Sequence, residues 1–382
     1  MKPCETETVK IVLAPDSFKE SMTASEAVAA MRAGVAAVLP DAEVVGVPMA
    51  DGGEGTVDAV VAALHGQHLD VPVCDALGRR VTARYGYVPL RQLAVIEVAA
   101  AAGSELIPVG QRDVLRASTF GVGELIRSAL DRGAEDFLIG LGGSATNDGG
   151  TGMLTALGAE FLDADGRPLG PGGANLERLE RIDLTGLDPR LRDVRIRVAS
   201  DVTAPLLGPN GATAVFGPQK GASPADVARL ESGLSRLAAV ASATLGGTRP
   251  ALPGAGAAGG LGFALVEFLG ATSRSGVEEV AETVGLERAL HGADWVFTGE
   301  GSVDAQTVMG KTPFGVAAAA ARAGARVIIF AGRVAADAAV LLDHGVERLV
   351  AITADGTPIE RALRDGAESL TRAVADICRD LA

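Results

Sequence analysis

Lys10-Ile11-Val12-Leu13-Ala14-Pro15-Asp16-Ser17-Phe18-Lys19 is the stretch that decides the fold. Its apolar run Ile11–Ala14 is too short for a helix and suits a strand buried on both faces, and Pro15-Asp16 ends it. Thr23 or Ser25 then offers a cap for a helix reaching about Leu39, with Glu26 in its first turn and Pro40 beyond its end. Ala42–Pro48 reads as a second strand and Thr56–Leu64 as a second helix. Strand, helix, strand, helix is the rhythm of βαβ units and predicts a parallel sheet.

The C-terminal part of the chain resumes that rhythm. Asp294–Thr298 reads as a strand, Pro313–Ala323 as a helix with proline near its start, and Arg326–Ala331 as a strand. A helix through Ala335–His344, a strand Arg348–Thr353 and a terminal helix follow. The middle differs. Within Cys74–Val98, Val81, Ala83, Tyr85 and Tyr87 alternate with polar residues, as in a half-exposed antiparallel strand. Ala134–Gly140 and Val194–Ser200 read as strands, Thr151–Ala159 as a helix and Ile182–Leu191 as a loop.

The expected fold class is therefore α/β with two α/β domains. A discontinuous, predominantly parallel-sheet (Rossmann-like) domain takes residues 1–74 and 285–382, and a mixed α/β domain, 75–284, is inserted in it. The strands near Val12 and Val296 should share one sheet, and a ligand cleft between the domains is the expected active site.

Composition removes several classes. The chain has 382 residues, 48% of them hydrophobic, with 34 basic against 48 acidic residues and a net charge of −14. That apolar content excludes a disordered chain, and the acidic balance argues against a nucleic-acid partner. Fifty glycines without a three-residue period exclude collagen. No apolar run approaches membrane-spanning length, and MKPCETETVK is too polar for a signal peptide, so no membrane partner and a cytoplasmic location are expected. Cys4, Cys74 and Cys378 form no disulfide framework, and the scattered His65, His68, His291 and His344 form no metal site.

The lysines are informative. Only Lys2, Lys10, Lys19, Lys220 and Lys311 occur among the 34 basic residues, and three of them sit in SFKES, GPQKGA and MGKTP. A compact ammonium in a phosphate site is not exchangeable for arginine, whereas a surface lysine generally is. Lys19, Lys220 and Lys311 are thus candidate phosphate ligands.

Polar, glycine-rich loops at strand ends supply the rest, where open α/β sheets bind ligands. Asp16, Ser17 and Lys19 follow the first strand. Asp51, Gly52, Gly53 and Glu54 follow the second and precede a helix. They form a tight turn, a metal-meeting pair (Asp51 with Glu54) or an anion site at the helix start. Gly140-Leu141-Gly142-Gly143-Ser144-Ala145-Thr146-Asn147-Asp148-Gly149-Gly150 is the strongest signal. Gly142, Gly143, Ser144, Thr146 and Asn147 suit wrapping an anion, and Asp148 suits orienting or deprotonating an attacking hydroxyl. Asp201, Glu300 and Asp304 lie just past other strands, the usual place for a catalytic base or a magnesium ligand. Gly254-Ala255-Gly256-Ala257-Ala258-Gly259 matches a dinucleotide fingerprint only literally, since GGTRPALP precedes it instead of a strand. With Gly260, Gly259 can still cradle phosphate through backbone N–H groups. Gly310-Lys311-Thr312 resembles the end of a P-loop, but Ala305 stands where its first glycine is required.

At these segments the sequence resembles the type I glycerate kinase family. The matching stretches are APDSFKESMTASEA, PMADGGEGTVDA, GLGGSATNDGGTGML, GGANLERLERIDLTGLDPRL, FGPQKGA, PGAGAAGGLGFAL and TGEGSVDAQTVMGKTPFGVA, in family order from about residue 11 to residue 332. The resemblance implies ATP- and Mg²⁺-dependent phosphorylation of D-glycerate by two α/β domains, with 2-phosphoglycerate the expected product over 3-phosphoglycerate. Two departures stand out. Ala204 interrupts the common DVTNPL, and Ser302 stands where GEGRxDxQ has arginine, so whatever that arginine binds must be bound otherwise here. On this reading Lys19, Asp51, Asp148 and Asp201 are the catalytic candidates, with Asp148 or Asp201 orienting the substrate hydroxyl. Glu300 and Asp304 hold Mg²⁺, with Glu54 the alternative. The partners expected are D-glycerate and ATP, in a monomer or homodimer. The rival readings are a nucleotide-dependent reductase of a small hydroxy acid and a non-catalytic ligand-binding regulator.

Overall fold

The computed structural model describes residues 8–381, so Lys2 and Cys4 lie outside it. The chain divides into two compact units. The first comprises the described residues up to Asp51, Asp58–His65 and those from Val277 on, and the second comprises Gly52–Val57 and Gly66–Gly276.

In the first unit β1 (Lys10–Leu13), β2 (Glu43–Gly46), β11 (Trp295–Val303), β12 (Arg326–Val334) and β13 (Val346–Ala351) form one sheet in the order β13-β12-β11-β1-β2. Every pairing is parallel, and Val12 stands opposite Val296, as the sequence predicts. Ile11, Val12 and Leu13 are all fully buried, which is why the strand is a continuous apolar run. Helix Ala24–Ala36 starts at Thr23, whose capping box with Glu26 satisfies two otherwise orphaned N–H groups. It packs against Gly366–Leu381 so closely that a side chain at Gly34 would fall 2.6 Å from the Thr371 carbonyl. Met31, Val35, Leu370 and Val374 from these helices meet Ile11, Leu13, Phe297 and Phe330 of the sheet.

The second unit has a mixed sheet, β10-β9-β6-β5-β4-β3. β3 (Gln67–Cys74), β4 (Arg80–Val88) and β5 (Leu93–Glu97) run antiparallel to one another in turn. β6 (Asp136–Gly140), β9 (Arg195–Ala199) and β10 (Thr272–Arg274) continue from β5 in parallel. Its core gathers Tyr85, Ile96, Phe137, Leu237 and Phe263.

Several sequence-based boundaries move, each for a local reason. Gln67–Cys74 pairs with β4 along its whole length, so that strand falls in the second unit, which the chain enters at Gly66. The first unit resumes at Val277, not at residue 285. β11 continues to Val303 because Glu300, Ser302 and Val303 pair with Ala331, Arg333 and Val334, so Glu300 lies on a strand where a loop was expected. Ala336–His344 winds as a 3₁₀ helix instead of an α-helix. Its two buried residues, Ala338 and Leu341, are three apart, the period of that tighter turn. Within the expected loop 182–191, Arg181–Asp183 forms β8 and pairs with β7 (Glu160–Leu162). Helix Ala257–Leu269 is entered from a turn, as the failed fingerprint context requires.

Candidate active site

In the first unit the candidate groups gather at the C-terminal ends of β1, β2 and β11. Thr312 Oγ1 donates to Asp16 Oδ2 at 2.5 Å, and Ser17 N–H donates to Asp16 Oδ1. Burial, reinforced by the charge of Asp51, pushes the Asp16 carboxyl up to about 6. Glu300 is pushed up to about 7, mainly by burial and further by Asp16 and Asp51, with Lys311 opposing the shift. Lys311 Nζ stands 3.7 Å from Glu300 and 4.0 Å from Asp304. Lys311 is also the N-cap of helix Thr312–Ala323, where the Thr312 N–H and the helix dipole favour an anion, Pro313 having no N–H and Phe314 and Gly315 donating to the Lys311 carbonyl. Asp304 accepts from Gln306 N–H and caps the short turn Ala305–Met309. Exposed Lys19 lies in the tight turn Phe18–Met22, whose next residue, Glu20, has φ 60°. Its ammonium has no partner among the described residues. Lys10, by contrast, is tied to His291 O and Glu43 at the foot of β1.

Among the described residues no three His, Cys, Asp or Glu side chains are grouped closely enough to hold a metal by themselves. The set fits Mg²⁺ in another way. That ion is usually bound through one or two carboxylates plus substrate phosphates, retaining waters. Carboxylates whose proton affinity is raised by burial and by one another are a place where positive charge is favoured.

In the second unit the glycine-rich loop runs from the end of β6 to helix Thr151–Ala156. Asp148 is fully buried and accepts from Thr119 N–H (2.8 Å), Thr119 Oγ1, Gly150 N–H and Gly152 N–H. Burial raises its pKa while these four donors oppose the shift. Both oxygens are engaged, so Asp148 anchors the loop and the helix start. This anchoring role is one the sequence reading of Asp148, as a group orienting or deprotonating a hydroxyl, did not include. Lys220 is also buried, and its Nζ donates to Ser144 Oγ (3.0 Å) and Thr146 O (2.7 Å). Burial lowers its pKa to about 8, and the charge of Asp148 resists that. Asn147 Nδ2 donates to Thr213 Oγ1 at 3.0 Å, leaving Asn147 Oδ1 and Thr146 Oγ1 buried without partners among the described residues.

Gly259 has φ 67°, and a Cβ there would fall 2.0 Å from Thr146 O, so only glycine lets this turn lie against the loop. Gly260 lies likewise against Gly149, while Gly52 and Gly53 pack on Ala199 and Gly142. On the other flank Ser104 N–H donates to the Gly143 carbonyl. Glu54 is exposed and belongs to this unit, whereas Glu300 belongs to the first. Asp201 is exposed and accepts from Gly276 N–H.

Sequence reasoning passed over four residues. Thr119 and Thr213 sit in no motif and reach Asp148 and Asn147 only through the fold. Thr312 lay in view inside Gly310-Lys311-Thr312. Arg333 stands in register beside Ser302 on β12, exposed and with its guanidinium unpaired among the described residues.

A parallel sheet carrying carboxylates and a lysine-capped helix, together with a glycine-rich loop around a buried lysine, defines a phosphotransferase. The chain belongs to the glycerate kinase family, whose sequence profile matches residues 11–382. It is 46% identical to a glycerate 2-kinase of Escherichia coli (strain K12), over 98% of each chain. It is 47% identical to a glycerate kinase of Bacillus subtilis (strain 168), again over 98% of each. A crystal structure described as that of a "putative glycerate kinase 2" from Salmonella typhimurium LT2 superposes with a TM-score of 0.91, at 46% identity and 98% coverage of each chain.

Proposed function

We propose that this protein transfers the γ-phosphoryl group of ATP, as its Mg²⁺ complex, to the 2-hydroxyl of D-glycerate. The observation that carries the reading is the Asp16–Glu300–Lys311 set, where buried, mutually repelling carboxylates adjoin a lysine-capped helix N-terminus. Phosphoryl transfer needs positioning and charge neutralisation, with little covalent chemistry from the protein. Glu300 and Asp16 would hold the metal directly or through water, Asp304 shapes the adjoining turn, and Lys311 with the Thr312 N–H takes phosphate oxygens. When bound there, Mg²⁺ would supply charge neutralisation at the phosphates. In the second unit Lys220, Ser144 and the backbone of residues 142–147 form an anion-seeking loop suited to the glycerate carboxylate or a phosphate. Asp201 and Asp51, both exposed, are the carboxylates left to orient the substrate hydroxyl.

The test is ADP release coupled to glycerate, with the product examined by phosphorus NMR. A 2-phospho ester couples its phosphorus to one carbon-bound proton and a 3-phospho ester to two. ADP formation without glycerate dependence refutes the kinase reading, and a two-proton splitting refutes the 2-position.

A further inference from the structure

Within the second unit a cavity of about 360 Å³ opens beside the turn Cys74–Gly78, helix Thr151–Ala156 and residues 169–172. Its lining is largely apolar, with Leu77, Phe120, Phe161, Leu169 and Leu176 among the walls. An engineered cavity of roughly 150 Å³ admits benzene, and small-molecule sites begin near 300 Å³, so this space suits a two-ring body.

Its polar groups are few and uneven. Asp75 is consumed, since it accepts from Leu77 and Arg79 N–H and pairs with Arg79 Nε at 2.6 Å. Arg116 is exposed at the rim, and its guanidinium makes no hydrogen bond or ion pair among the described residues. The cavity therefore offers one uncompensated positive charge above an apolar floor. None of Lys220, Ser144, Thr146 and Asn147 lines it. What it shares with the glycine-rich loop is a wall. Ser118 and Phe120 flank Thr119, and Gly152 donates to Asp148 from the cavity side.

We propose that this cavity is a second small-molecule site, taking an aromatic monocarboxylate of about naphthoate size. The carboxylate meets Arg116 and the rings lie on Phe120 and Phe161. Glycerate, with no apolar body, is not matched to it. The proposal needs no turnover, so it stands or falls separately from the kinase reading.

The test is a fluorescence titration of the full chain with 2-naphthoate, backed by mass-spectrometric mapping of iodoacetamide labelling at Cys74, which lines the cavity. Saturable binding of one naphthoate per chain is expected, with slower labelling of Cys74 in the unmutated protein. Arg116→Ala, or replacing the probe by 2-naphthylmethanol, should weaken binding about fivefold, the range of an exposed charge pair. Thr155→Trp, at an exposed position on the cavity wall, should weaken it about tenfold or more by filling the space. Saturating MgATP and glycerate should leave the affinity unchanged. Non-saturating partition, unchanged Cys74 labelling, indifference to Arg116→Ala, or displacement by either substrate would each overturn the proposal.

Discussion

Replacing Lys220 by methionine separates the cost of burying its charge from what the charge does. The ammonium is buried, with a pKa of about 8 instead of 10.5, and bonds Ser144 and Thr146. At about 1.4 kcal/mol per pKa unit, holding it charged near pH 7 costs on the order of 3 kcal/mol. Between pH 8 and 10.5 the unfolded chain binds the proton more firmly than the folded one, so wild-type stability should rise with pH across that window. Methionine removes the cost but also two charge-assisted hydrogen bonds, each worth roughly 1.5–3 kcal/mol. Stability at pH 7 should thus fall by no more than about 3 kcal/mol, and the rise between pH 8 and 10.5 should vanish. Turnover should fall about a hundredfold, the scale for removing one donor to developing charge. Urea unfolding at pH 7, 8.5 and 9.5, followed by far-ultraviolet dichroism, measures the first two quantities. Tyr85 and Tyr87, the only tyrosines, report on the second unit by near-ultraviolet absorbance, and the lone Trp295 on the first. A pH-dependent rise that persists in Lys220→Met refutes the assignment of that rise to Lys220, and unchanged turnover refutes its placement in the anion site.

Thr119→Val should cost about 2–3 kcal/mol of stability in urea unfolding, because it strips a hydroxyl from a buried carboxylate. Asp148→Asn should likewise destabilise far more than Asp201→Asn, and an Asp148→Asn variant that is fully stable yet inactive would restore Asp148 as the proton acceptor. Glu300→Gln should raise the Mg²⁺ concentration for half-maximal rate about tenfold, with excess metal recovering part of kcat, and Asp304→Asn should do so less because its carboxylate already caps a turn. Unchanged Mg²⁺ dependence in a titration of Glu300→Gln would remove it from the metal site. Arg333→Ala should raise KM for one substrate about tenfold with kcat nearly kept, since its free guanidinium flanks Ser302 at the strand ends. Steady-state kinetics with each substrate varied in turn check it, and wild-type constants would leave the missing positive charge at position 302 without a replacement.

The sequence by itself determined the parallel sheet, the βαβ rhythm at both ends and most of the loops that carry polar groups. Those features are local: a strand buried on both faces must be continuously apolar, a capping box needs residues three apart, and a turn held close to another chain segment needs glycine. The resemblance carried by APDSFKES, GLGGSATNDGG and GEGSVDAQTVMGKT pointed to the family that the whole-chain comparisons show. What it could not determine was which way each polar side chain is used. Asp148 looks from sequence like a base beside glycines. Thr119, remote in the chain, and the N–H groups of Gly150 and Gly152 turn it into a buried anchor. Glu300 looked like a loop residue until its pairing with Ala331 placed it on a strand, and Arg333 became visible beside Ser302 only through that same register. Lys220 was legible as unusual, but its burial and its depressed pKa were not. Hydrogen bonding and desolvation act through space between residues far apart in the chain, so only the tertiary structure decides which lone pairs and charges remain available.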